Sequence, residues 1–346
     1  MKARRVGVAA ALGALALLLS GCAANVPGAV VTTSPASPSP TPTPVVTAQP
    51  VRVPVTCDDL VPTAEVAKIS AGLSAEAASH SASLTSWNDD RVGALRCAWS
   101  NGADGDDQLR VTVTVAPEVA REGFEAYLNG EQGGGTAVPS VGADAYIQRV
   151  QDRPFGFVFL TSHYGARAYL EAGPNVQLAS DADTTLLTQV HGVVAGLDAP
   201  GPLWKPSPDL KGASSCEGLA SLEQVEASTG LPSPDVVKSD SGEYSASSFD
   251  IDRQVGGFSC FWGSANGAGF VSAAVLPGGA SYAPNSRVTG SVDVAGVGES
   301  AFLTPDGMLN VVADHGWVQV KGDGNITRDQ LTALAKQVLV NVGYTG

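Results

Sequence analysis

The sequence is poor in the residues on which most enzyme chemistry depends. It has only four histidines, no Gly-x-Ser-x-Gly elbow, no His-Glu-x-x-His, no P-loop and no Ser three residues before a Lys. The common signatures of hydrolases, metallopeptidases, nucleotide-binding and penicillin-recognising enzymes are therefore missing. Basic residues are also scarce. Twenty Lys and Arg stand against 34 Asp and Glu, and the net charge of −14 repels phosphate backbones and excludes nucleic acid as a partner. Charged residues make up 16% and aromatics 6% of the 346 residues, whereas Gly (40) and Pro (22) are plentiful, a composition suited to short elements joined by turns. No Cys-x-x-Cys occurs and no histidine neighbours a cysteine, which speaks against zinc.

The N-terminus sets the expected compartment. Met1-Lys-Ala-Arg4-Arg5 is basic, and Val6 to Leu19 is a run of 14 apolar or Gly residues, too short to span a bilayer and of the length of an export signal. It closes on Leu19-Ser20-Gly21-Cys22, which resembles the lipobox of bacterial lipoproteins. The resemblance implies cleavage between Gly21 and Cys22, a diacylglycerol on the Cys22 sulfur and a further acyl group, such as palmitate, on the new N-terminus. Cys22 would then hold the chain on the outer face of the cell membrane, and more than one acyl chain makes such an anchor stable. Residues 22–55 read as a solvated stalk, because Ser34-Pro-Ala-Ser-Pro-Ser-Pro-Thr-Pro-Thr-Pro44 cannot bury a core and favours extended polyproline II.

Setting Cys22 aside leaves Cys57, Cys97, Cys216 and Cys260, an even number in two well-separated pairs. Outside the cytoplasm such pairs oxidise. Of the three possible connectivities the sequential one, Cys57 with Cys97 and Cys216 with Cys260, is expected, and chain entropy assigns each loop about 4 kcal/mol.

The rest of the chain contains one unit twice. Cys57-Asp-Asp-Leu60 matches Cys216-Glu-Gly-Leu219, and Val92-Gly93 through Cys97-Ala98-Trp99 matches Val255-Gly256 through Cys260-Phe261-Trp262. Val141-Gly142 matches Val297-Gly298, and each unit closes on a helical pattern, with Leu186, Val190, Val194 and Leu197 in one and Leu331, Ala335, Val338 and Val342 in the other, spacings that share one helix face. The expected organisation is a signal peptide (1–21), the stalk (22–55), a first domain (56–198), a Pro-rich linker (199–212) and a second domain (213–346). Alternating Leu109, Val111, Val113 and Val115 mark a half-buried strand. The order read for the first unit is αββαβββα, with helices at 63–71 and 117–129. The fold class is accordingly α+β, two tandem repeats of an antiparallel sheet with packed helices and one disulfide each. In the second copy Pro277-Gly-Gly-Ala-Ser-Tyr-Ala-Pro284 is too broken to hold the middle helix.

The lipobox, the Cys-x-x-Leu openings at Cys57 and Cys216, the Cys-x-Trp strands at Cys97 and Cys260 and the terminal helix together resemble an actinobacterial family of cell-envelope lipoproteins of unknown function. They are also similar to extracytoplasmic sensor domains of receptor kinases and to PsbP-like lipoproteins. The resemblance implies fold and location and brings no catalytic set with it.

Candidate chemistry is sparse. His163 and His315 fall at comparable hairpin positions and read as exposed turn residues, with a paired catalytic role as the alternative. His191 lies inside a helix, and His80 sits in a Ser/Ala-rich segment without a visible partner. Asn101, Asp104, Asp106 and Asp107 could offer oxygens to calcium but lack the bidentate Glu of an EF-hand, so an acidic hairpin turn is expected. Gly133-Gly134-Gly135 follows a helix instead of opening one and is a loop. Trp99 and Trp262 read as core rings beside the disulfides, Trp87 as a contact residue, and Trp204 as docking one domain on the other. No cofactor, metal or catalytic residue is expected, and the binding residues are left unassigned. The leading functional reading is a non-enzymatic binding module for a small or envelope-derived ligand. The alternatives are a protein-interaction accessory of an envelope complex or receptor and an unrecognised extracytoplasmic hydrolase.

Overall fold

The computed structural model describes residues 48–129, 135–151, 153–239, 242–243, 248–264, 266–267, 269–323 and 325–346. The lipobox residues Gly21 and Cys22, the signal, the stalk up to residue 47 and the glycines Gly133 and Gly134 lie outside the described residues.

Two antiparallel seven-stranded sheets carry the fold. The first repeat opens with a helical turn α1 (Cys57–Leu60), capped by Thr56 and Asp59 in a reciprocal box, and with α2 (Thr63–Ile69). Its strands are β1 (Ser74–Glu76), β2 (Leu95–Ser100), β3 (Leu109–Pro117), β4 (Thr136–Ala137), β5 (Ala145–Val150), β6 (Arg153–Leu160) and β7 (Tyr164–Ala172). They are ordered β1-β2-β3-β7-β6-β5-β4. Between them stand α3 (Asn88–Arg91) and α4 (Arg121–Asn129), and α5 (Ala182–Val194) closes the repeat.

The second repeat follows the same path. It has α6 (Cys216–Leu219) and α7 (Leu222–Thr229), then β8 (Pro234–Val236), a small hairpin β9 (Lys238–Ser239) and β10 (Gly242–Glu243), β11 (Phe258–Ser264), β12 (Phe270–Leu276), β13 (Val292–Asp293), β14 (Ser300–Leu303), β15 (Met308–Ala313) and β16 (Gly316–Gly322), and ends in α8 (Arg328–Asn341). Its sheet order, β13-β14-β15-β16-β12-β11-β8, is that of the first sheet strand for strand. The two copies are therefore one topology repeated. Each sheet has two strands more than the expected five, because edge strands of two or three residues leave no readable alternation. A 3₁₀ turn, Ala283–Ser286, stands where α4 stands in the first copy, as the broken sequence there anticipates.

The inner face of each sheet is packed by its own helices. Cys97, Trp99, Val113, Phe159, Leu186 and Val190 share one core, and Cys260, Trp262, Val318, Leu334 and Val338 the other. The disulfides join Cys57 to Cys97 and Cys216 to Cys260, with Cα–Cα distances of 5.5 and 5.3 Å, tying the helical turn α1 or α6 to the second strand. The Val-Gly that precedes this strand has the same task in both copies. Gly93 and Gly256 adopt left-handed backbone angles (φ 76° and 74°), which only glycine takes without strain, and their carbonyls accept the N–H of Arg52 and of Ala213 from the incoming chain. That incoming chain is already packed well before Thr56. Gln49, Arg52 and Val53 are buried, and Arg52 bonds Gly201 O, Val92 O and Glu118.

The outer faces are covered reciprocally. On the second sheet Ala274, Leu276 and Trp317 are buried under Leu84 and Trp87 of the first repeat. On the first sheet Ala116, Val158 and Leu160 are buried together with Phe124 of α4 and with Phe249 and Ile251 of the second repeat. The two inserted segments, a 3₁₀ turn over Leu84–Trp87 running into α3 and a 3₁₀ stretch over Ser248–Val255, both precede the Val-Gly strand of their own copy. They touch each other where Asn88 Nδ2 donates to Asp252 Oδ2 at 3.0 Å.

Candidate functional site

The segment Ser81–Thr85 forms a strap across the outer face of the second sheet. It contains no long stretch of side chains able to hold it, so its backbone is held instead. Gln319, on β16, accepts from Leu84 N–H at 3.0 Å and donates to Ala82 O at 3.0 Å. Its remaining amide hydrogen goes to Asn310 Oδ1 at 2.8 Å, which also accepts Trp317 Nε1 at 3.1 Å. Asn310 and Trp317 are wholly buried and Gln319 nearly so. A buried amide pair of this kind is tolerated because its polar atoms find partners.

A groove of about 440 Å³ opens between this strap and the sheet, floored by Ser259, Phe261, Ser272, Met308 and Gln319. At its rim Lys321 Nζ and Asp306 Oδ2 pair at 3.1 Å. The hydrogen bond from Thr304 Oγ1 at 2.6 Å, followed by that from Lys321, holds the Asp306 carboxyl below its ordinary range. The far end of the strap is clamped by a column of rings. His80 stacks on Trp87 with centroids 3.7 Å apart, and Trp87 stacks on Tyr282 of the second repeat at 5.3 Å. Burial pushes the Tyr282 hydroxyl up to about 12, and it donates to Asp90 O.

The residues singled out in the sequence divide clearly. His80, expected to lack a partner, instead hydrogen-bonds Asp90 at 2.7 Å and lies on Trp87. The correction has a physical reason, since the following 3₁₀ turn folds the Ser/Ala-rich segment back over itself. Trp87 is a contact residue between the repeats. Trp204 docks the linker on the first-repeat side, with Arg91 stacked 5.5 Å from its ring centre and hydrogen-bonded to its carbonyl, while its backbone N–H donates to Gln49. Trp99 and Trp262 lie in the disulfide cores.

His163 and His315 occupy equivalent hairpins, and each lends its backbone carbonyl to the chain leaving the neighbouring strand, to Glu118 N and Ala280 N. Their side chains form no hydrogen bond or ion pair among the described residues, so the two are not brought together as a catalytic pair. His191 packs edge-on against Phe159 at 4.9 Å, and burial lowers its pKa. The acidic turn uses its own oxygens, with Asn101 Oδ1 accepting from Ala103 and Leu109, and Asp107 accepting from Asn175. No group of His, Cys, Asp and Glu side chains able to hold a metal occurs among the described residues, and no helix there is long and apolar enough to cross a membrane.

No family model, curated protein or solved structure matches the chain. The groove is therefore argued from its own residues. Gln319, which lines it, and Asn310 and Trp317, which support Gln319, are not among the residues singled out in the sequence. Asn310 stands on β15, and Trp317 and Gln319 alternate on β16 with inward Val318 and Val320, but nothing local announces that a strap whose Leu84 lies 235 residues before Gln319 covers them.

Proposed function

We propose that the chain is a lipid-anchored extracytoplasmic binding protein, held by acylated Cys22, in which both repeats act as one non-catalytic unit and the groove under Ser81–Thr85 receives a small ligand. The observation that carries the reading is the groove itself. Its volume of about 440 Å³ falls in the range of about 300–1,000 Å³ typical of small-molecule sites, and it combines apolar Phe261 and Met308 with hydroxyls and one ion pair. A ligand of mixed character, an apolar body carrying hydroxyl or amide groups, fits such a lining. The location rests on Leu19-Ser20-Gly21-Cys22 and the Pro-rich stretch after it.

Native mass spectrometry of the exported chain tests this reading. An added mass present under native conditions, absent after denaturation and lost in Ser272→Trp, which fills the groove floor, is the expected result. A native mass equal to that of the bare chain, together with no effect of Ser272→Trp on any binding to envelope extract, would overturn it.

A further inference from the structure

A second cavity, of about 300 Å³, lies where the linker crosses between the repeats, and it shares no lining residue with the strap groove. Its walls are Leu203, Pro206 and Val255, and its charged residues are Arg91, Lys205, Lys211 and Asp209. Three cations and one carboxylate give a local charge of +2 in a chain whose net charge is −14.

Arg91 is the unusual member. It is 1% exposed and is held by the carbonyls of Pro277 and Trp204 and by the Trp204 ring. The buried or half-buried arginines Arg52, Arg96 and Arg167 each have a carboxylate partner, whereas Arg91 forms no ion pair among the described residues. Burial lowers its pKa, yet a guanidinium keeps its charge in proteins. Asp209 is committed to the backbone N–H groups of Gly278 and Leu210 at 2.8 and 2.9 Å. Among the described residues Asp209 is the one carboxylate that acts on Arg91, and it faces two further cations, Lys205 and Lys211, both exposed, so a positive potential is left in the space between them.

We propose that this cavity binds a phosphoryl group. A phosphate monoester carries close to two negative charges near neutral pH, which matches the local +2, while a single carboxylate would leave half of it uncompensated. The cavity is larger than a bare phosphate needs, and its three apolar walls leave room for a small organic substituent. The source is either a soluble phosphate ester or a lipid phosphate.

The test uses the full chain in an uncharged detergent, dialysed to equilibrium against radiolabelled inorganic phosphate, glycerol phosphate and a short-chain phosphatidic acid. Saturable binding, weakened as ionic strength rises, is expected. Lys205→Glu combined with Lys211→Glu weakens it at least tenfold, and Asp209→Asn, which removes a negative charge but keeps the acceptor for Gly278, strengthens it severalfold. Binding of the soluble esters with that pattern supports the site and a soluble ligand. Binding of the lipid phosphate alone with the same pattern supports the site and a headgroup. No saturable binding of any of the three, or binding that neither variant changes, overturns the proposal. If the double charge reversal lowers the unfolding midpoint, Lys205→Gln with Lys211→Gln replaces it. Because the two cavities have no residue in common, loss here leaves the strap groove untouched and the converse holds as well.

Discussion

Truncating Leu84 should destabilise the whole chain and not the first repeat alone. Leu84 belongs by sequence to the first copy but is 1% exposed among Ala274, Leu276, Tyr282, Ala283 and Trp317 of the second. Leu→Ala in a core costs about 2–5 kcal/mol, and the cost is larger where the surroundings cannot collapse into the space. Here they are held apart. Gln319 fixes the strap at Leu84 N and Ala82 O, and Gln319 is itself fixed by Asn310. We therefore expect Leu84→Ala to cost about 3 kcal/mol or more. The reciprocal change, Phe249→Ala, removes a ring stacked near Phe124 and Tyr127 and should cost about 3–5 kcal/mol. Urea unfolding followed by tryptophan fluorescence and by far-ultraviolet circular dichroism reads both. Trp99 reports the first core, Trp262 the second, and Trp87 with Trp317 the junction. A single transition with both signals shifted together and an unchanged slope is expected. A loss below about 1 kcal/mol, or a transition in which one repeat melts early while the other keeps its original midpoint, would refute the reciprocal packing.

Three further outcomes follow from single contacts. Gly123→Ala on α4 should destabilise by about 1–3 kcal/mol through overpacking, although Ala usually improves a helix by about 1 kcal/mol over Gly, because the new Cβ would stand 2.3 Å from the Phe249 carbonyl oxygen. A stabilised variant in thermal unfolding would show that the inserted segment does not sit there. Ser221→Ala removes half of the capping box that Ser221 and Gln224 make at the start of α7 and should cost about 1 kcal/mol, read as a shift in the urea midpoint. His191 supplies a pH effect whose sign is fixed. Burial lowers its pKa below the 6.5 of an unfolded ring, so the fold favours the neutral form. Stability from this group is complete above pH 6.5 and declines as pH falls through the folded value. His191→Gln should flatten that decline in unfolding midpoints taken across the acidic range, and an unchanged profile would count against it.

What the sequence discloses here is whatever one copy determines within itself. The duplication, the disulfide pairing, the Val-Gly before the cysteine strand, the Ser221 cap and the hairpin turns all depend on residues close in the chain or aligned between copies. The turns at Thr304-Pro-Asp-Gly307 and Asp314-His315 are likewise fixed by near neighbours, with Gly307 N bonded to Thr304 O and both Asp314 and His315 in left-handed conformation. The two-residue strands at the sheet margins escape because they are shorter than any alternation. Residues 49–53 escape because their burial rests on Gly93 and Gly201, far along the chain.

The groove and the cavity escape for a deeper reason, which also bears on why the unit occurs twice. A sheet covered by helices on one face leaves the other to be covered or wetted, and nothing local to β12 and β16 says by what their outer face is covered. The second copy buries Ala274, Leu276 and Trp317 under a segment of the first, while the first buries Val158 and Leu160 under Phe249 and Ile251 of the second. Each copy covers its outer face only in part, with Phe124 of α4 in the first and Tyr282 and Ala283 in the second, and the other copy supplies the rest, so duplication completes a core that one unit leaves open. The groove lies between a strap of the first copy and the sheet of the second, and the cavity lies between Arg91 of the first copy, the linker and Gln254, Val255 and Gly256 of the second, so both proposed sites are lined by residues of both copies. Function in such an arrangement depends on the relation between the copies, and a substitution such as Leu84→Ala, distant from any ligand, should therefore loosen the groove along with the fold.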